Sequence, residues 1–327
     1  MAVGAMGAAP SNTYIETTAV GVKEDLRDLI FQIDVDATPL LSAISSVPAN
    51  QVLTEWIVQD LGAVSDNAQP EGFTAVMQAV TKPVRINNIC QIAVRSVGVS
   101  NTTRAADFAG GEDEYNRQVI LKGMEVKRDV EFAITSPLVR TITDPRHMSG
   151  LPCYTLNGSR GAGAGVMPVG DGSNAGTPGT ARDLTLAMVD AAVQQCWQAG
   201  SVPTLGIMSG NVKAYFATLS QGGTGNAVVA QNIQNVTSRE EVTIMGAVDV
   251  YRTNFGAIQL APDRFCPLHQ ILLVSPDYVE MAPLQGRDFV DQNYATTGDN
   301  SQGAVVFEGT LRPTAPKSHA CIFDLNQ

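Results

Sequence analysis

Histidine is the side chain most often used to move protons or bind metal near neutral pH, and this chain has three of them. His147, His269 and His319 stand far apart, with no His-Glu-x-x-His run and no Cys/His spacing of a zinc site. Cys266-Pro-Leu-His269 is a lone Cys-x-x-His and reads as ordinary loop chemistry. Asp34-Val-Asp36 offers two carboxylates, far fewer oxygens than a hard cation collects. Ser209 sits in Gly-Ile-Met-Ser-Gly, not in the Gly-x-Ser-x-Gly nucleophile elbow, and reads as a helix N-cap. Between Asp144 and Gly179 nine glycines gather, as in GSRGAGAG and GDGSNAG. A phosphate cradle needs the third glycine of the dinucleotide fingerprint or a Gly-Lys-Ser/Thr, and neither follows. That stretch reads as a flexible loop or insertion. No catalytic residue, metal site or cofactor is expected.

Without a catalytic set, composition carries more of the argument. Only 16 % of the 327 residues are charged while 44 % are hydrophobic, which fits a chain that hides much of its surface against partners. The net charge of −11 is spread without long runs, so no basic face is offered to nucleic acid. The five cysteines are an odd count without a Cys-x-x-Cys pair and read as reduced thiols of a cytoplasmic product. The N-terminal MAVGAMGAAPSNTY has neither the basic nor the apolar region of a signal peptide. No apolar run approaches the length of a membrane helix.

The longest element is a helix predicted over Gly111–Thr135, opening on Glu112, Asp113 and Glu114 and stopped by Pro137. Val119, Gly123, Val126, Val130 and Ala133/Ile134 form one apolar stripe, with Val119, Val126, Val130 and Ile134 as its core face. Asp113–Arg117 and Lys127–Glu131 stand four apart, as surface ion pairs do. At about 36 Å with one narrow stripe, the helix reads as a beam laid across a sheet. Before it, residues 1–36 read as an arm, and Thr38-Pro39 starts a short helix with Leu40, Leu41 and Ile44 inward and Pro48 after it. From Gln51 the period becomes two, giving a strand with Val52, Thr54, Trp56 and Val58 on one side. A polar tip, Leu61–Gly72, follows, and a second strand stretch returns over Val84–Val99. This two-stranded arm leaves two edges unpaired, so it either folds onto its own domain or lies on a neighbouring subunit, and the second reading is favoured.

After the beam, Leu138–Thr143 looks strand-like. Thr180-Ala-Arg-Asp183 resembles a capping box for a helix with Leu186, Val189, Val193, Cys196 and Trp197 on one side, ending at Gly200. A buried strand, Thr204–Met208, leads to a helix with Val212, Tyr215, Phe216 and Leu219 inward. The loop Gly222–Asn226 and short strands near Val242–Ile244, Val248–Tyr251, Ala257–Leu260 and Gln270–Val274 complete an α/β unit over Ala181–Ser275. The last strands, Tyr278–Met281, Phe289–Tyr294, Ala304–Arg312 and His319–Leu325, need a cover, and the beam helix is the one available.

This order of arm, hairpin, long helix, α/β unit and closing strands resembles the major capsid protein of tailed bacteriophages, the Hong Kong 97 fold. TYIETTAVGVKEDLRDLIFQID (Thr13–Asp34), TEWIVQDLGAV (Thr54–Val64), NNICQIAVRSVGVSNTTRAADFAGGEDEY (Asn87–Tyr115) and LRPTAPKSHACIFDL (Leu311–Leu325) look like one branch of that family. The resemblance implies an α+β fold with an N-terminal arm (1–36), a short helix (37–50), an extended loop (51–99), and a peripheral domain (100–143) whose spine helix is 111–135. A glycine-rich insertion (144–180), an axial domain (181–275) and closing peripheral strands (276–327) follow. The extended loop would lie on the next subunit, with contacts expected from Glu55, Trp56, Gln59, Asp60, Asp66, Gln69, Glu71, Phe73, Arg85 and Arg95. The implied role is structural and not enzymatic. Pentamers and hexamers would form an icosahedral shell around double-stranded DNA, assembled in the host cytoplasm, with portal, scaffold and decoration proteins as further partners. No membrane partner is expected. Two alternatives stay open: a protein-only nanocompartment of the same fold, and a soluble α/β enzyme with a dimerising arm.

Overall fold

The structure is a computed structural model that describes residues 37–74, 77, 80–105, 114–220, 249–296 and 298–326. The arm 1–36, Asp34-Val-Asp36, the first turn Gly111–Asp113, the loop Gly222–Asn226, the strand Val242–Ile244 and Val248 lie outside the described residues.

Helix α1 (Pro39–Ala43) and the short β1 (Ser45–Ser46) lead into a ribbon of β2 (Leu53–Val58) and β3 (Val84–Ile89). β4 (Gln91–Ser100) and α2 (Asn101–Ala105) precede α3 (Glu114–Thr135), whose 22 residues span about 33 Å. β5 (Asn157–Ser159), α4 (Leu186–Gln198), β6 (Leu205–Met208) and α5 (Gly210–Ser220) follow. The described chain then runs through β7 (Val250–Arg252), β8 (Ala257–Pro262), β9 (Ile271–Val274), β10 (Val279–Pro283), β11 (Val290–Asn293), β12 (Asn300–Pro313) and β13 (Ala320–Ile322).

The beam helix lies where its stripe demands. Val126, Val130 and Ile134 are buried against Leu40, Met281, Val305, Phe307 and Leu311, and Val119 packs partly buried beside them. Beneath it, the long β12 pairs with β10, β11 and β4, and β1 pairs with β10 at the edge. The second sheet runs β5-β13-β9-β6-β8-β7. Its central strands are buried on both faces and feed two cores by simple alternation. Leu205, Ile207, Leu272, Val274 and Cys321 join the core of α3, whereas Met208, Ile271, Leu273, Ala320 and Ile322 pack under α4 and α5. Val212 and Phe216 turn inward, with Ser209 at the cap, as the spacing predicts.

Several expectations are corrected. The stretch Val84–Val99 is two strands, because only β3 continues the ribbon whereas β4 pairs along β12 from Gln91 to Ser100. The break is at buried Cys90, whose N–H donates to Val52 O at 2.8 Å and closes the ribbon's root. β13 joins the second sheet and not the one under α3, since Cys321 and its neighbours pair with β9 and β5. Leu138–Thr143 is not a strand; it makes one bridge, Thr141 to His147, while the Arg140 guanidinium is drawn to Asn87 and to Asp171 O. α4 starts five residues later than the Thr180 cap would place it, because Thr185 Oγ1 accepts from Met188 N and Arg182 extends beside Leu325. Trp197 is 54 % exposed and stacks on Phe255 at 5.2 Å, outside the helix core.

The glycine-rich loop is held, not free. Gly161 and Gly179 donate their N–H groups to Asp324 Oδ2 at 3.1 and 2.9 Å. A Cβ on Gly161 would fall 1.8 Å from Thr180 O, so only glycine allows this approach. Arg160 lies over the Phe323 ring at 3.9 Å and ties the loop to the C-terminal strand.

Candidate assembly surface

A two-stranded ribbon has two faces, and here they differ sharply. On one face Trp56 and Ile86 are paired across the strands and turn toward the body, where the Trp56 ring lies 5.9 Å from that of Tyr154. The neighbouring Asn88 is fully buried. Its Nδ2 donates to Leu311 O at 2.8 Å and Ser149 O at 3.2 Å, and its Oδ1 accepts from Ser149 N at 2.9 Å. The ribbon's root is therefore bolted to its own subunit. The opposite face carries Leu53, Glu55 and Ile57 into solvent, with Glu55 paired to Arg85 at 3.3 Å across the strands.

Beyond the strands, none of the described residues covers the tip. Leu61, Val64 and Met77 are 97, 103 and 99 % exposed, values of side chains that bury no surface at all. Phe73 and Val80 are also exposed. Exposed apolar side chains gathered on one loop of an acidic chain make the tip the candidate assembly surface.

The residues expected at subunit contacts divide between these regions. Glu55, Arg85, Asp66, Gln69, Glu71 and Phe73 are exposed on the ribbon or its tip. Asp66 Oδ1 accepts from Ala68 N at 3.2 Å and Gln69 Nε2 donates to Asn67 Oδ1 at 3.1 Å, so both shape the tip. Gln59 Nε2 donates across the ribbon to Thr81 O at 2.9 Å, and Asp60 pairs with Lys317 of the body. Trp56 faces its own subunit. Arg95 is not on the ribbon: its Nε and Nη2 donate to Asp129 on α3 at 2.8 and 2.9 Å, clamping β4 under the beam. Sequence reasoning missed Leu53, Ile57, Leu61, Val64, Met77 and Val80. The available signal was apolar residues on both sides of the alternation, which a ribbon covered on one face does not need.

Burial pushes the Cys90, Cys153 and Cys196 thiols up to about 11 and Cys266 to about 12. All five cysteines are free and buried. His269 Nδ1 lies 2.8 Å from Leu325 O, and Cys266 Sγ meets Gln270, so the Cys-x-x-His residues serve separate contacts. Among the described residues no group of three His, Cys, Asp or Glu could hold a metal, and no helix is long and apolar enough to cross a membrane.

A rooted ribbon with an uncovered tip, a beam over a mixed sheet and a second sheet under two helices form a distinctive set. The family model for the SU10 major capsid protein matches residues 9–326. The chain belongs to the SU10 major capsid protein family. Its fold is that of Hong Kong 97-type capsid proteins, α+β as expected. The cyanophage A-1(L) capsid subunit superposes with a TM-score of 0.65 at 13 % identity, over 96 % of this chain and 99 % of that one. The SrpI encapsulin of Synechococcus elongatus PCC 7942 superposes with a TM-score of 0.56 at 11 % identity, over 95 % of each chain. The major capsid protein of Escherichia phage Phieco32 is 30 % identical over 122 residues, 37 % of this SU10-family chain. The match spans 35 % of that curated relative's length.

Proposed function

We propose that this protein is the shell subunit of a phage head, assembling as hexamers and pentamers into a closed icosahedral container for double-stranded DNA. The observation that carries the reading is the ribbon tip, where Leu61, Val64 and Met77 are almost wholly exposed although Asn88 bonds the root into the body. A second copy that covers the tip recovers apolar surface at roughly 25 cal/mol per Å². Repeated head-to-tail, such a contact closes into rings. Residues 51–89 then act as the extended loop, 114–135 as the spine helix, and the unit around the second sheet as the axial domain. The role is structural, with no catalytic step. An acidic surface without a basic patch supports weak, non-specific contact with the packaged DNA. Assembly in the host cytoplasm, and portal, scaffold and decoration proteins as partners, complete the proposal.

Electron microscopy of assembled material, with absorbance at 260 and 280 nm, tests it. Closed shells with five-fold and six-fold clusters and a nucleic-acid absorbance are expected. The encapsulin-like fold match favours one competing reading, a nanocompartment that carries protein. Shells filled with protein and free of nucleic acid at every stage would support that reading instead, and discrete dimers would exclude both.

A further inference from the structure

Helix α1 is too short to hold itself, and its cap comes from an unexpected place. Thr38 makes no side-chain cap bond to a backbone N–H. Glu131, 91 residues away from Leu40 on α3, accepts from Leu40 N with Oε1 and from Leu41 N with Oε2, both at 2.8 Å. The expected surface pair Lys127–Glu131 does not form: Glu131 is completely buried, and Lys127 lies over the Phe289 ring at 5.7 Å. A second buried carboxylate, Asp263 in the turn after β8, is 1 % exposed. Its Oδ1 accepts from Phe265 N at 2.9 Å, and its Oδ2 has no partner. Among the described residues neither carboxylate has a cationic partner.

We propose that Glu131 is a proton-operated clamp that fastens α1 to the spine helix, with the buried Asp263 carboxylate raising the cost of its charge. Two carboxylates that sense one another out of water do not readily carry two charges. Burial raises the Glu131 carboxyl to about 7, Asp263 adds to this, and the two backbone bonds oppose it. Burial likewise raises Asp263. The remaining neighbours supply no compensating charge. α1 carries no titratable side chain, and Cys266, in the same turn as Asp263, is held neutral. Cys153 and Tyr154 of the 3₁₀ turn under α3 are pushed up by burial too. Arg95 of β4 is taken by Asp129, Arg312 of β12 by Glu280 of β10, and Glu308 of β12 by Arg146 and Arg287. With a proton on Glu131, one oxygen still accepts from α1, and the site no longer holds an uncompensated charge away from water.

The sign of the response follows from linkage. Opening the clamp admits water and returns Glu131 toward its ordinary value of 4.5, so opening releases a proton to solvent. The clamp's hold is therefore complete at acid pH and is lost as pH rises through about 7. Mild acid tightens α1, and alkali loosens it.

Amide hydrogen exchange on the full-length protein, corrected for intrinsic rates, reads this directly at Leu40 and Leu41. Protection should fall roughly tenfold or more between about pH 6 and about pH 8.5. Glu131→Gln should abolish that pH response. Asp263→Asn keeps an oxygen for the Phe265 N–H and removes the neighbouring charge, so it should move the midpoint to lower pH. Equal protection at both pH values in the wild type would overturn the proposal, as would a response that Glu131→Gln retains. Should Glu131→Gln fail to fold, a midpoint unmoved by Asp263→Asn overturns it equally.

Discussion

At the root of the β2–β3 ribbon, Asn88 has both polar atoms of its side chain bonded to its own subunit, and Trp56 leans on Tyr154. At the tip of the same ribbon, Leu61, Val64 and Met77 touch nothing that removes them from water. One element thus contains both a finished and an unfinished end. A two-stranded ribbon is marginal alone; its root is ordered by the fold, and the proposed assembly has another copy order its tip. On the proposed function, the difference separates the residues that set subunit stability from those that set assembly.

Removing the unfinished end should produce the largest effect. Deleting Gly62–Glu71 and joining Leu61 to Gly72 should leave a soluble, cooperatively melting subunit that forms no shells or fragile ones, as read by light scattering and electron microscopy. Damage to the finished interior should do the reverse. Ile134→Ala empties a fully buried site on the spine helix and should cost roughly 2–5 kcal/mol in denaturant unfolding.

A pH effect of similar kind comes from His319, fully buried, which accepts from Ser275 N at 3.2 Å through Nδ1. Burial holds its pKa at about 4, below the ordinary 6.5. Because the folded state binds the proton more weakly, stability is complete above pH 6.5 and is lost as pH falls toward 4. Replacing it by Gln should flatten this acid limb of a melting-temperature profile. Asn88→Ala, which leaves Ser149 N and Leu311 O without their partner, should cost about 1–3 kcal/mol of subunit stability. The smallest effect expected is none: with five buried free thiols, melting with and without reductant should coincide.

The sequence made the spine helix legible because Val126, Val130 and Ile134 repeat at helical steps, and that stripe is the buried one. It hid the role of Glu131, because Lys127 four residues earlier made an ordinary surface pair and the true partners lie 90 and 91 residues away. The break at Cys90 was equally hidden. Strand-like residues continue on both sides of it, and the partner of β4 is some 200 residues downstream on β12. Such long-range pairing leaves no mark on local periodicity. For the assembly surface, the arm's place in the chain was readable, and so were its exposed polar residues. Its apolar tip residues were not, since a loop with Pro70, Gly72 and several charges reads as solvated.

Hydrogen exchange along the ribbon, in free subunits and in assembled particles, tests the central claim most directly. Amides of Ile86–Ile89 at the root should be protected in both states. Amides of Leu61–Phe73 at the tip should exchange almost freely in the subunit and slow by roughly tenfold or more in particles. Strong protection of the tip in the free subunit, or equal exchange of the tip in both states, would contradict the account.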